Sequence, residues 1–141
     1  MSKRSAWLLA AVVLIVAFIW GNSVLSRAAS RQESRVVLVW VRPFLELFVG
    51  RGNVTLNLVR KLAHVTEFTV LGATLGALFA RMRRWYLLSL ALGAAVAAVD
   101  ETIQLFSQRG SQLSDVGIDV CGVLLGILLC ALFRALLRKK E

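Results

Sequence analysis

The sequence predicts an all-α integral membrane protein, with four transmembrane helices in a bundle and an external interfacial segment between the first two. Three observations carry this reading. Of 141 residues, 58% are hydrophobic, and they are gathered into blocks instead of the stripes that soluble helices show. The mean hydropathy is +0.74. The 17 Lys and Arg against 8 Asp and Glu give a formal charge of +9, and the bases flank the apolar blocks instead of lining a polar face. That placement argues against a nucleic-acid partner. The same composition, with one Pro, excludes disorder and low-complexity linkers. The length suits a single membrane domain, 1–141.

A helix crossing ~30 Å of hydrocarbon needs ~20 residues. The first span, about 6–21, holds the uncharged run Ala6–Trp20 behind Lys3 and Arg4. Trp20 closes the run as an interfacial anchor would, which favours a retained helix. A cleaved signal peptide is the alternative, with Arg27-Ala28-Ala29-Ser30 as its small residues. The external segment, about 22–59, contains apolar patches too short to span. Pro43 is expected to separate two short helices lying at the membrane surface; a core helix packed over the bundle is the other reading. Asn53-Val54-Thr55 matches a glycosylation acceptor, a tripeptide common by chance. The remaining spans, about 61–80, 85–106 and 115–133, reach full length only with their polar residues counted in.

Orientation follows from the bases. Lys3, Arg4, Arg81, Arg83, Arg84, Arg134, Arg138, Lys139 and Lys140 fall in three short segments on one side of a four-span bundle. The others are mostly diluted along the segment between the first two spans. The positive-inside rule then predicts a multi-pass protein with both termini in the cytoplasm. Cys121 and Cys130 lie on opposite faces of the fourth span, so they do not bridge each other and read as packing residues.

The polar residues of the last three spans form three constellations. Arg60, His64, Glu67 and Leu71 fall within about 60° on one helix. Gly93, Ala97, Asp100 and Gln104 share a face, with Glu101 at its margin. Asp115, Asp119, Gly122 and Gly126 again lie within about 60°. Four alternating spans bring all three to the outer end of the bundle. Charges there need partners, and Arg60, Lys61 and Arg109 are the available cations. The small residues on the same faces allow close helix approach. The pattern reads as one polar pocket opening outward between three helices, or as a structural network of ion pairs and hydrogen bonds.

The run Arg60-Lys61-x-Ala63-His64-x-x-Glu67-Phe68-x-x-Leu71-Gly72 resembles a motif of VanZ-like membrane proteins. So do Asp100-Glu101-x-x-Gln104-x-Phe106, Arg109, and Asp115-Val116-x-x-Asp119-x-x-Gly122-x-x-x-Gly126. Many members carry Pro-Gly-Arg after the Phe, whereas this chain has Ser107-Gln108-Arg109-Gly110. The resemblance implies a small protein of the bacterial cytoplasmic (inner) membrane, in a family linked to resistance to teicoplanin, a lipid-bearing glycopeptide. It names no ligand.

Three function classes follow. A binding or modulating protein would hold an anionic lipid or lipid-linked envelope precursor through Arg60, Lys61, Gln104, Arg109 and Asp119. A membrane-embedded hydrolase or transferase would use His64 and Glu67 as an acid–base pair. Asp100, Glu101, Asp115 and Asp119 would then serve as bases or as ligands for Mg²⁺ or a similar divalent cation. A transporter or flippase component would relay protons along the acids and need to oligomerise. No P-loop, HExxH or nucleophile elbow is present.

Overall fold

A computed structural model of the chain describes residues 2–24, 27–107 and 113–138. Five helices account for most of them: α1 (Lys3–Val24), α2 (Arg27–Val49), α3 (Leu56–Leu78), α4 (Trp85–Phe106) and α5 (Leu113–Arg138). There is no strand among the described residues. Helices α1, α4 and α5 are long and apolar enough to cross a membrane, and much of their outer surface is apolar, as Trp7 (77% exposed) and Phe133 (64%) illustrate. Helix α3 has the length but carries Arg60, Lys61, His64 and Glu67. Three helices therefore meet the apolar criterion where four spans were expected.

Helix α3 is the centre of the bundle, contacting each of the other four. Its partnership with α5 is the most extensive, and glycines set its spacing. A Cβ on Gly122 would lie 2.8 Å from the Val65 carbonyl oxygen and 3.0 Å from Phe68 Cβ. One on Gly126 would overlap the Thr69 carbonyl, and one on Gly72 the Val123 carbonyl. Further along, Gly76 faces Cys130 and Arg134 donates to the Ala80 carbonyl at 2.9 Å. The two helices thus run parallel. Gly93 of α4 receives the Val123 side chain, while Trp20 of α1 donates to the Val96 carbonyl at 3.4 Å. Trp20 packs against the core cluster, so its indole also serves as a contact within the bundle. Phe68, Leu71, Leu75, Ile19, Ala97 and Val123 are fully buried.

The stretch between the first two expected spans differs from expectation. It forms one helix, α2, with Pro43 inside it. Pro43 removes the donor to the Val39 carbonyl, yet i,i+4 contacts support the helix across and just after the position. Arg42 pairs with Glu46 at 3.0 Å, and the Phe44 and Phe48 rings stand 5.0 Å apart. Three faces result. Leu38, Val41 and Leu45 are half-buried on the side that meets α3. Arg35, Arg42 and Glu46 form a polar edge. Trp40 (81% exposed), Leu47 and Phe48 form an open apolar face.

The connection to α3 explains the Asn53-Val54-Thr55 tripeptide. Gly50 and Gly52 take positive φ (83° and 87°), the usual way of ending a helix. Asn53 Nδ2 donates to the Val49 carbonyl at 2.7 Å, and Thr55 Oγ1 accepts from the Leu58 amide at 3.1 Å. Both residues are caps, and the Thr55 cap starts α3 at Leu56, ahead of the expected 61.

Replacing Gly122 by Leu forces a side chain into the Val65–Phe68 backbone. We expect a loss of ~1–3 kcal/mol in unfolding stability, read from thermal or denaturant melts in detergent. A wild-type melting curve would contradict the close α3–α5 approach.

Candidate functional site

The antiparallel order brings four helix ends together. The C-terminal ends of α1 and α4 meet the N-terminal ends of α3 and α5. Ser107 Oγ donates to the Ser23 carbonyl at 2.9 Å, Asn22 Nδ2 donates to Glu67 Oε1 at 3.3 Å, and Lys61 Nζ lies 3.3 Å from Asp115 Oδ1. The basic segments around Lys3, Arg4, Arg81, Arg83, Arg84 and Arg134 belong to the opposite end. All three polar constellations therefore share one end of the bundle, as expected from the alternating direction of the helices.

A narrow cleft opens there, lined by Arg60, Lys61, His64, Glu101, Gln104, Asp115, Ile118 and Asp119. Its enclosed part admits about one water-sized sphere. Arg60 and Lys61 stand half-buried on the first turns of α3, and Asp115 pairs with Lys61. Deeper, Asp100 is fully buried, with Glu101, Gln104 and Asp119 at 5%, 3% and 2% exposure. Gln104 Nε2 donates to Asp100 Oδ2 at 2.7 Å, one turn apart on α4. His64 Nδ1 stands 3.9 Å from Asp100 Oδ2 and 3.9 Å from Asp119 Oδ1, too far for hydrogen bonds. His64, Asp100 and Asp119 offer ligand atoms that all lie within 4.8 Å of one another, spacing that can hold a metal ion. Beyond them, Phe68, Leu71, Leu75, Val123 and Ile127 fill the bundle.

The sequence-predicted residues divide accordingly. Arg60, Lys61, His64, Glu101, Gln104, Asp115 and Asp119 line the cleft, and Asp100 stands behind it with Gln104 and His64. Glu67 accepts from Asn22 and is outside the lining. The carboxylates flanking the imidazole Nδ1 are Asp100 and Asp119, from two other helices, where Glu67 was expected as the partner. Arg109 lies outside the described residues. Sequence reasoning missed α1 as a contributor, through Asn22 and the buried Ser23. The signal available was two polar residues just beyond the uncharged run, one helical turn after Ile19 and on its face.

Lys61 and Asp115 are 36% and 16% exposed, so their pair is a partly solvated one. Lys61→Met is expected to change unfolding stability by about 1 kcal/mol or less, measured in detergent. A loss of several kcal/mol would make the pair a structural keystone.

No curated protein and no solved structure matches the chain. The sequence profile of one family, described as VanZ/LLP1, matches residues 6–134. That stretch includes every cleft-lining residue and all but the extreme ends of the helical bundle, and the chain belongs to the VanZ/LLP1 family of membrane proteins.

Proposed function

We propose that this is a four-span protein of the bacterial cytoplasmic membrane whose cleft opens outward and binds an anionic lipid headgroup or lipid-linked envelope precursor. Arg60 and Lys61 receive the anion at the mouth, with Arg109 joining them. The observation that carries the reading is the cleft itself, with two cations at its rim and polar side chains converging from three helices. The enclosed part is too small for a headgroup, so the headgroup sits at the rim. Exposed Leu62, Leu105 and Phe106 adjoin the cleft residues in sequence and offer apolar surface to acyl chains.

Chain parity supports α3 as the fourth span. Helix α1 ends at the cleft end and α4 begins at the opposite end, so the chain crosses between them, and α3 is the element that does so. Its charges face protein or the mouth, where their cost is lower than in hydrocarbon. The dense bases at the opposite end then mark the cytoplasmic side. An outward cleft that holds a wall precursor fits the family's link to a lipid-bearing glycopeptide. A hydrolase or transferase is the second reading, favoured by the flanking of His64 by two carboxylates. Transport fits less well, because apolar side chains fill the bundle beyond His64.

Mass spectrometry of lipids co-purified with wild type and with Arg60→Ala tests the binding role. An anionic lipid class depleted several-fold in the variant is expected; identical lipid profiles would sink it. In cells, Glu101→Gln and His64→Asn should abolish a lipoglycopeptide-susceptibility phenotype while the purified variants melt like wild type. Activity that falls only in step with melting temperature would reduce the cluster to a scaffold. For topology, cysteines introduced near Gly50 and near Arg83, with Cys121 and Cys130 replaced by Ala, are exposed to an impermeant thiol reagent. Labelling near Gly50 alone is expected, and labelling near Arg83 alone means the reverse orientation.

A further inference from the structure

We propose that His64, Asp100 and Asp119 form a binding site for one divalent cation of the Mn²⁺ or Zn²⁺ class at the closed end of the cleft. This goes beyond the lipid reading and does not depend on it. The three residues come from α3, α4 and α5, and their ligand atoms lie within 4.8 Å of one another. Donors sharing a cation at ~2.1 Å stand about 3.0–3.6 Å apart at octahedral to trigonal angles. The 3.9 Å separations of His64 Nδ1 from Asp100 Oδ2 and Asp119 Oδ1 close to that range with small side-chain rotations.

The second observation is the state of the carboxylates. Asp100 is 0% exposed and Asp119 2%, and Asp100 Oδ1 and Asp119 Oδ2 are buried with no hydrogen-bond partner among the described residues. A carboxylate oxygen buried without a donor is costly, and buried charges are as a rule paired or bound to metal. Lys61 pairs with Asp115 at the rim, and among the described residues no Lys or Arg forms an ion pair with Asp100 or Asp119. Gln104 holds Asp100 from behind at 2.7 Å, the kind of orienting hydrogen bond that metal-ligating carboxylates carry. The enclosed space, about one water-sized sphere, suits a single ion. The donor set decides the class, because one imidazole with carboxylates favours Mn²⁺ or Zn²⁺ over the all-oxygen preference of Mg²⁺ and Ca²⁺. A bound dication would also turn the cleft floor from repelling an anion to attracting one.

The test uses the full chain in detergent, without a polyhistidine tag and stripped by a chelator. Mn²⁺ is titrated and the free ion followed by electron paramagnetic resonance, with no lipid added. One bound equivalent, displaced by Zn²⁺, is expected. The chain has one His, so an imidazole nitrogen coupling in the pulsed spectrum of bound Mn²⁺ locates the ion at His64. Asp100→Asn and Asp119→Asn should weaken binding at least ~10-fold, and His64→Gln should remove the nitrogen coupling. No bound Mn²⁺, or bound Mn²⁺ without nitrogen coupling, overturns the proposal. That spectrum is recorded on wild type, so it decides even where a variant fails to fold. The Arg60→Ala lipid comparison is read separately, so either result can fail alone.

Discussion

The closeness of α3 and α5 is the constraint on which the rest of the structure depends. At Gly72, Gly122 and Gly126 an added Cβ would run into the partner backbone, so the two helices sit nearer than ordinary side chains permit. Their parallel course keeps residues in step along the contact. One turn before Val123 stands Asp119, and one turn before Phe68 stands His64. The same glycine contact that fixes Val123 between Gly72 and Gly93 therefore fixes the level at which His64, Asp119 and, from α4, Asp100 meet. The cleft is a consequence of the packing below it.

Energetics then sort the polar residues by depth. A charged residue at the centre of a transmembrane helix costs on the order of 2.5–3.5 kcal/mol on insertion scales. Asp100, Glu101, Asp115 and Asp119 lie toward the helix ends at the cleft, while Glu67, at the middle of α3, is half-buried against α1. At the rim Asp115 pairs with Lys61, and on the α1 side Glu67 accepts from Asn22. Asp100 and Asp119 are almost wholly buried, and each keeps one oxygen with no hydrogen-bond partner among the described residues. Their cost is concentrated where three helices converge, directly above an apolar plug. Elsewhere the hydroxyls of Thr66, Thr69, Thr74, Ser89 and Thr102 bond back to the carbonyl four residues earlier, which satisfies them within their own helix.

Much of this was legible because a buried helix face repeats with the helical period. Gly93, Ala97, Asp100 and Gln104 were placed on one face, and all four are buried; Gly122 and Gly126 were expected at a close interface and are there. Partner choice was not legible. His64 and Glu67 share a face, but their neighbours come from different helices, Asp100 and Asp119 for one and Asn22 for the other. Phase on one helix says nothing of which neighbour faces which turn. The continuity of α2 through Pro43 was missed for a related reason. Proline removes one hydrogen bond locally, while the Arg42–Glu46 pair reaches across it and the Phe44–Phe48 contact holds the turn that follows.

Helix α2 follows from connection lengths. Two residues separate it from α1 and six, 50–55, separate it from α3. Both of those neighbouring ends lie at the cleft level. Six residues span at most about 20–22 Å, whereas the 23 residues of α2 are about 35 Å long. The helix therefore cannot run the length of the bundle beside α3. It must lie obliquely or across, near the cleft end. Its open apolar face, its polar edge, and a Val39 carbonyl that Pro43 deprives of a donor suit a boundary between hydrocarbon and water. On the proposed topology that boundary is the outer interface, which puts the mouth of the cleft, with Arg60 and Lys61, at the depth of the lipid headgroups.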